Sequence, residues 1–339
     1  MTVVTLAHGG GGKAMKDLVD TVFVRAFGAP GGAPLEDQAR IALAELASGN
    51  DRIAFTTDSY VVDPIIFPGG DIGSLAVFGT VNDLAVGGAT PRYLSCAVIL
   101  EEGLEIELVR RIAYSMAAAA RRANVVIVTG DTKVVARGAC DKMFVTTTGI
   151  GTIPIGRELA VTRARPGDVV IVNGWLGDHG ATILCARGDL KLASPLTSDC
   201  APLHELVEVL LAAAPGTRCL RDATRGGVAT VVNEIAAASK VGIELDEGHV
   251  PVRAEVRGCC EILGLDALYL ANEGKLVAIV PADEADDAIT ALRAHPLGTN
   301  AVAIGVITEG LPGRVVMRTL FGGQRIVDML VGEQLPRIC

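Results

Sequence analysis

Residues 93–129 read YLSCAVILEEGLEIELVRRIAYSMAAAARRANVVIVT, and this stretch decides the fold class. Tyr93 to Leu100 is a short apolar run of strand length. Glu105 to Arg122 follows, with Leu108, Ile112 and Met116 four residues apart, as one face of a helix requires. Glu105 and Glu107 stand at its start and Arg121 and Arg122 at its end, the order the helix dipole favours. Val125 to Thr129 is a second strand-like run. Strand, helix and strand in succession predict layered α/β structure.

The same alternation extends in both directions. Arg52 to Thr57 reads as a strand, Ile72 to Val86 as a buried helix and Lys142 to Gly151 as another strand. Between Gly151 and Gly167 the segments GTIPIG and ARPGD suggest a junction. A second α/β set follows: helices at Pro202 to Ala214, with Pro202 in the first turn, and at Gly227 to Ser239, then strands at Lys275 to Val280 and Ala301 to Ile307. From about Phe321 the periodicity fades, and the chain finishes QLPRIC. A length of 339 residues exceeds the usual single core. The expected units are therefore 1–153, 154–320 and a mobile tail, 321–339, that carries Cys339.

Half of the residues are hydrophobic and a fifth are charged, enough to bury a large core. A net charge of −9, with no basic run longer than Arg110-Arg111 or Arg121-Arg122, argues against nucleic acid. No apolar stretch approaches the roughly 18–20 residues that span a bilayer. The start, MTVVTLAHGGGG, lacks the basic region of a secretory signal, so a soluble, cytoplasmic protein is expected. The eight cysteines contain no C-x-x-C pair, and most read as small buried hydrophobes in a reducing compartment.

Several segments carry groups able to do chemistry. Positions 51, 58, 63, 71 and 83 are aspartates, with Arg52 the one basic residue between 51 and 83. Asp58 ends an apolar strand, and Asn82-Asp83 interrupts an apolar helix, where a carboxylate is costly unless paired or metal-bound. Hard oxygen donors suit Mg²⁺, which usually arrives with phosphates. Asp51 and Asp63 fit turns and caps. Gly130-Asp131-Thr132-Lys133 follows a strand end: either a phosphate and proton-handling site or a charged turn. Arg221 to Gly227, RDATRGG, opens a helix whose free N–H groups, with Arg225, favour an anion, while Asp222 is equally a cap. HGGGGK at 8–13 is not a Walker A loop, because Ala7 and Ala14 occupy the required glycine and hydroxyl positions. Glu273, in ANEGK, is by itself an ordinary loop carboxylate. Cys339 is by position alone an incidental terminal residue.

Together these segments resemble the HypE family of hydrogenase maturation factors. The resemblance is carried by LAHGGGG at 6–12, EDQAR at 36–40, TTDSYVVDP at 56–64, FPGGDIG at 67–73 and GTVNDLAVGGATPRYLSC at 79–96. It continues through VTGDTKVV at 128–135, LGDHGAT at 176–182, RDATRGGV at 221–228, ANEGKL at 271–276, HPLG at 295–298 and PRIC at 336–339. The broader PurM-like superfamily shares only some of these and lacks the cysteine end.

The resemblance implies a PurM-like pair of α/β domains, a homodimer formed through the first, and ATP with Mg²⁺ near the dimer interface. It assigns Asp58, Asp83 and Asp222 to Mg²⁺. Asp71, Asn82, Gly130, Asp131, Thr132 and Arg225 fall to the nucleotide, and Cys339, Lys133 and Glu273 to catalysis. Lys13 is similar to an ATP-contacting lysine of selenophosphate synthetases. The implied reaction is ATP-dependent dehydration of a carbamoyl group on Cys339 to a thiocyanate. The carbamoyltransferase HypF would load the tail, and a HypC–HypD complex would accept the cyanide. The rivals are another PurM-like enzyme such as a selenophosphate synthetase, and a non-catalytic carrier that only presents its tail. A synthetase would keep its activity without Cys339, and a carrier would be indifferent to Asp83→Asn.

Overall fold

The computed structural model describes residues 3–10, 12–28, 38–39, 41–188, 195–329 and 337–339. Gly11, Glu36, Asp37, Arg40 and Pro336, which belong to segments quoted above, lie outside the described residues.

In the first unit β1 (Asn50–Tyr60), β4 (Thr90–Glu101), β5 (Val126–Val135) and β6 (Met143–Pro154) form a sheet in the order β1-β6-β4-β5. Only the β4–β5 pair is parallel, and the residues between them form the crossover helix read from the sequence. A small hairpin, β2 (Ile66–Phe67) and β3 (Gly70–Asp71), leads into helix α1 (Ile72–Val86). Helix α1 is apolar nearly all round because it is covered on all sides. One side lies on the sheet and on α2 (Ile106–Arg122), where Gly73 lets the helices meet: a Cβ there would lie 2.7 Å from Met116 Cγ and 2.8 Å from the Ile112 carbonyl. Its end, Ala85 and Val86, packs with Leu203, Leu206 and Leu210 of the second unit.

The second unit is a seven-stranded sheet in the order β13-β12-β9-β11-β7-β10-β8. Its strands are β7 (Val169–Val172), β8 (Cys219–Asp222), β9 (Gly242–Asp246), β10 (Leu276–Val280), β11 (Val302–Thr308), β12 (Val315–Arg318) and β13 (Gln324–Val327). Around it lie α3 (Asp178–Ala186), α4 (His204–Ala213), α5 (Gly227–Ser239), α6 (Ala254–Leu263) and α7 (Ala285–Ala294). No helix among the described residues is long and apolar enough to cross a membrane.

Three of the boundaries that differ from the sequence expectation do so for a clear physical reason. Strand β5 does not end at Thr129 but runs to Val135, so Gly130 to Lys133 is strand and not a turn. Backbone pairing continues through Cys96↔Gly130 and Ile99↔Lys133, and glycine is needed because a Cβ at 130 would sit 2.2 Å from the Cys96 carbonyl oxygen. Helix α4 starts at His204, leaving Pro202 outside the first turn; the Leu203 N–H goes instead to Asn82 Oδ1 at 2.7 Å. The sheet extends past residue 320, since Gln324–Val327 pairs with β12 and the Val327 carbonyl accepts from Asn233 Nδ2.

Candidate active site

The chemistry collects where the two units meet, around the end of the chain. The loop before β10 is the floor. Asn272 fixes it: its Oδ1 accepts the Gly177 N–H at 2.7 Å and its Nδ2 donates to the Ala223 and Leu270 carbonyls. The backbone of Glu273 is held on both sides. Its N–H donates to Asp199 Oδ1 at 3.0 Å, and its carbonyl accepts from Ala201 N and Asn82 Nδ2. Asp199 also takes the Gly274 N–H and the Lys275 ammonium at 3.0 Å. Burial alone would raise Asp199, but Lys275, His179 and the Glu273 amide outweigh it and hold it below the usual carboxylate range.

On this floor the Glu273 side chain is 3% exposed, and its Oε1 has no hydrogen-bond partner. Burial, followed by Asp199, Asp222 and Asp58, pushes its carboxyl well up. The Cys339 thiol lies beside it, and each group acts on the other. The thiol is itself pushed well up by burial and by Glu273, against the pull of Arg225.

The chain end is docked. Ile338 is buried in the core of the first unit. The Arg337 carbonyl accepts from Asp63 N and Arg187 Nη2, and the Ile338 carbonyl lies 2.8 Å from His179 Nε2. The Arg337 guanidinium pairs with Asp141 and faces Asp63.

Beside this pair stand three carboxylates from both units. Asp58 lies in β1, 3.4 Å from Arg225 Nη2; Asp83 lies near the end of α1 and accepts from Thr56 Oγ1 at 2.8 Å; Asp222 ends β8. Burial raises Asp83 and, with Asp83 and Asp58 as neighbours, lifts Asp222 to about 7. These are carboxylates short of counter-charge. A divalent cation would supply it, although among the described residues no three His, Cys, Asp or Glu side chains form a cage for a metal. The set fits Mg²⁺ that completes its shell with phosphate oxygens and water. Above it, α5 opens at Gly226 (φ 74°) and Gly227 (φ 60°). A Cβ at Gly227 would lie 2.3 Å from the Leu268 carbonyl oxygen, so this close approach needs glycine.

Asp222 gives a pH prediction. The folded chain keeps this proton up to about 7, whereas the unfolded carboxyl loses it near the ordinary value. Between those values the folded state binds the extra proton, so stability falls as pH rises. In thermal melts without divalent cations, Asp222→Asn is expected to flatten the decline in Tm between about pH 4 and about pH 7.

Other expected site residues lie elsewhere. Asn82, expected at the nucleotide, fastens the two units: its Nδ2 donates to the Ala201 and Glu273 carbonyls and its Oδ1 accepts from Leu203 N. Asp71 caps α1, and its bonds from Gly73 N, Ser74 N and Ser115 Oγ all fall on Oδ1, leaving Oδ2 available. Thr132 is buried, so its neighbours Asp131 and Lys133 point to the opposite, exposed face of the sheet, which α1 does not cover. One chain thus does not bring Lys133 to Glu273 and Cys339. His179, Ser198, Asp199, Lys275 and Arg187 were missed. His179 had a signal, inside LGDHGAT, and Lys275 one, inside ANEGKL; Ser198, Asp199 and Arg187 are isolated polar residues whose partners are distant in sequence.

Comparison with known proteins agrees with this geometry. Residues 36–153 match the family described as AIR synthase related protein, N-terminal domain, and residues 165–318 the corresponding C-terminal domain. The carbamoyl dehydratase HypE of Rhodobacter capsulatus is 62% identical over 336 residues, covering 99% of this chain and 98% of that protein. A crystal structure of the hydrogenase maturation protein HypE in complex with ATP superposes with a TM-score of 0.92 at 50% identity, covering 98% of this chain and 99% of that one. A HypE–HypF complex gives 0.80 at 43% identity, covering 92% and 99%. The chain is a two-domain PurM-like enzyme and belongs to the HypE family of carbamoyl dehydratases.

Proposed function

We propose that the chain converts an S-carbamoyl group on its own Cys339 into a thiocyanate with ATP, for the cyanide ligands of the iron of [NiFe]-hydrogenase. The observation that carries this reading is the terminal thiol lodged against a buried, partnerless carboxyl beside three under-compensated carboxylates. A kinase or synthetase acting on a free small molecule has no use for that thiol.

The chemistry follows from the groups present. The carbamoyl oxygen on Cys339 is a poor leaving group until it takes the γ-phosphoryl group of ATP, releasing ADP. One N–H proton passes to solvent water as the C=N bond of the imidate forms. Glu273 then takes the remaining N–H proton while the C–O bond breaks and phosphate departs, leaving S–C≡N. Arg225, Asp71 Oδ2 and the opening of α5 would bind the nucleotide. Asp58, Asp83 and Asp222 would hold Mg²⁺, which supplies charge neutralisation of the phosphates.

Lys133 finds a place in a homodimer. The open sheet face that carries Lys133 and Asp131 also exposes Ile53 (57%), Phe55 (70%) and Ile99, more apolar surface than an isolated sheet usually leaves in water. A second copy on this face would bring Gly130 to Lys133 to an interface and to a shared nucleotide site. Phe55→Asp is expected to shift the protein from dimer to monomer in light scattering, with the melting temperature of each protomer little changed. HypF would load Cys339, and a HypC–HypD complex would receive the cyanide; both reach the thiol only when the tail undocks.

Mass spectrometry tests the reading. After incubation with the carbamoyltransferase, carbamoyl phosphate and ATP, the tail peptide is expected to gain one carbamoyl group and then lose one water only when ATP is hydrolysed. ATP consumption with an unmodified Cys339 would refute the assignment.

A further inference from the structure

We infer that His179 is a positioning residue that sets where the Cys339 sulfur lies, by holding the carbonyl of the residue before it. This rests on the reading of Cys339 as the carrier. His179 is fully buried on α3, at the contact between both units. Its Nε2 is 2.8 Å from the Ile338 carbonyl oxygen, which only accepts, so Nε2 carries the proton. Nδ1 is then an acceptor and takes the Ser198 hydroxyl at 2.8 Å. Ser198 Oγ in turn accepts the Cys200 N–H at 3.1 Å, which leaves its own proton for His179.

The relay is anchored in the first unit. The Ser198 N–H donates to the Pro68 carbonyl at 2.9 Å, and Phe67 sets its ring edge-on to the imidazole, 5.5 Å between centroids at 86°. Gly69, at φ 92°, leaves room for Ser198, since a Cβ would come within 2.7 Å of its carbonyl oxygen. Both units must be in place before the imidazole is oriented, and the docked tail meets a donor fixed in tautomer and direction. Asp63 N and Arg187 hold the Arg337 carbonyl, but those contacts are one residue further back. His179 is the last side chain to grip the backbone before the reacting residue, so it fixes the register in which the sulfur reaches Glu273.

The test is the rate at which iodoacetamide alkylates Cys339 in the free full-length protein, followed by peptide-resolved mass spectrometry. A docked thiol is shielded and held protonated; a released one reacts as an ordinary tail thiol. His179→Ala is expected to raise the rate about five- to ten-fold, the effect of losing one ordinary hydrogen bond. His179→Gln, which keeps a donor at similar reach, should stay within about twofold of the wild type. Ser198→Ala, which frees the tautomer but leaves the ring, should raise it about two- to three-fold, and decides the matter if His179→Ala does not fold. Equal rates in the wild type and both alanine variants would overturn the proposal, as would a Gln variant no better than Ala. Because this readout needs no ATP or carbamoyl group, protection without dehydration would sink the proposed reaction and leave the role of His179 standing.

Discussion

Cys339→Ala is expected to abolish product formation, with carbamoyl uptake and ATP-coupled dehydration at least about a thousand-fold down, because no other group can carry the intermediate. The substitution removes a half-buried side chain at the chain end and leaves every backbone contact of the docked tail in place. Tm and nucleotide affinity should therefore stay close to wild type, a change of about 0.5 kcal/mol or less. Intact-mass analysis and calorimetric titration with a non-hydrolysable ATP analogue check the two halves. A variant that still dehydrates a carbamoyl group would show that the thiol beside Glu273 is a bystander. Of the other seven cysteines, Cys96, Cys200, Cys219, Cys259 and Cys260 are buried, and burial pushes each of these thiols up, while Cys140 and Cys185 are partly exposed.

Glu273→Gln should lower the single-turnover dehydration rate by about 10² to 10⁴, the usual range for a positioned proton carrier. The amide is nearly isosteric, and the backbone bonds to Asp199, Ala201 and Asn82 do not involve the side chain. Carbamoyl loading by the partner should be unaffected, since the tail leaves the site for that step. The pH dependence adds a second readout. A carboxyl held well above its ordinary value is a stronger base once ionised, but it ionises only at higher pH than an ordinary carboxyl does. The wild-type rate should therefore climb with pH beyond the ordinary carboxylate range, and the Gln variant should lose that climb. A rate within about threefold of wild type, with the same pH profile, would assign the proton transfer elsewhere.

Much of the frame was legible because it is local. Ile72 to Val86 forms the helix its sequence predicts to the residue, and the crossover from Tyr93 through Thr129 folds as read, since periodicity and end charges act over one turn or one strand. The carboxylates were visible too: Asp83 in an apolar helix is an anomaly that needs no partner to be noticed. What was not legible depends on contacts distant in sequence. Gly130 to Lys133 read as a turn because glycine and aspartate usually break strands, whereas Cys96 on the neighbouring strand keeps them paired. Asn82 looked like a ligand, but its partners Ala201, Leu203 and Glu273 lie more than a hundred residues away. Asp199 and Ser198 sit in a loop with no pattern of their own and take meaning only from Glu273 and His179. The short strand Gln324–Val327 was too brief to show an alternation.

The central claim is that the oxygen of the carbamoyl group on Cys339 is removed by phosphorylation. The most direct test is a single turnover of protein carrying an ¹⁸O-labelled carbamoyl group on Cys339, with unlabelled ATP in unlabelled water. The account predicts that the label appears in the released inorganic phosphate, one atom for each thiocyanate formed. Label found in bulk water, with unlabelled phosphate, would mean that ATP is hydrolysed beside the reaction and not through it, and would contradict the account.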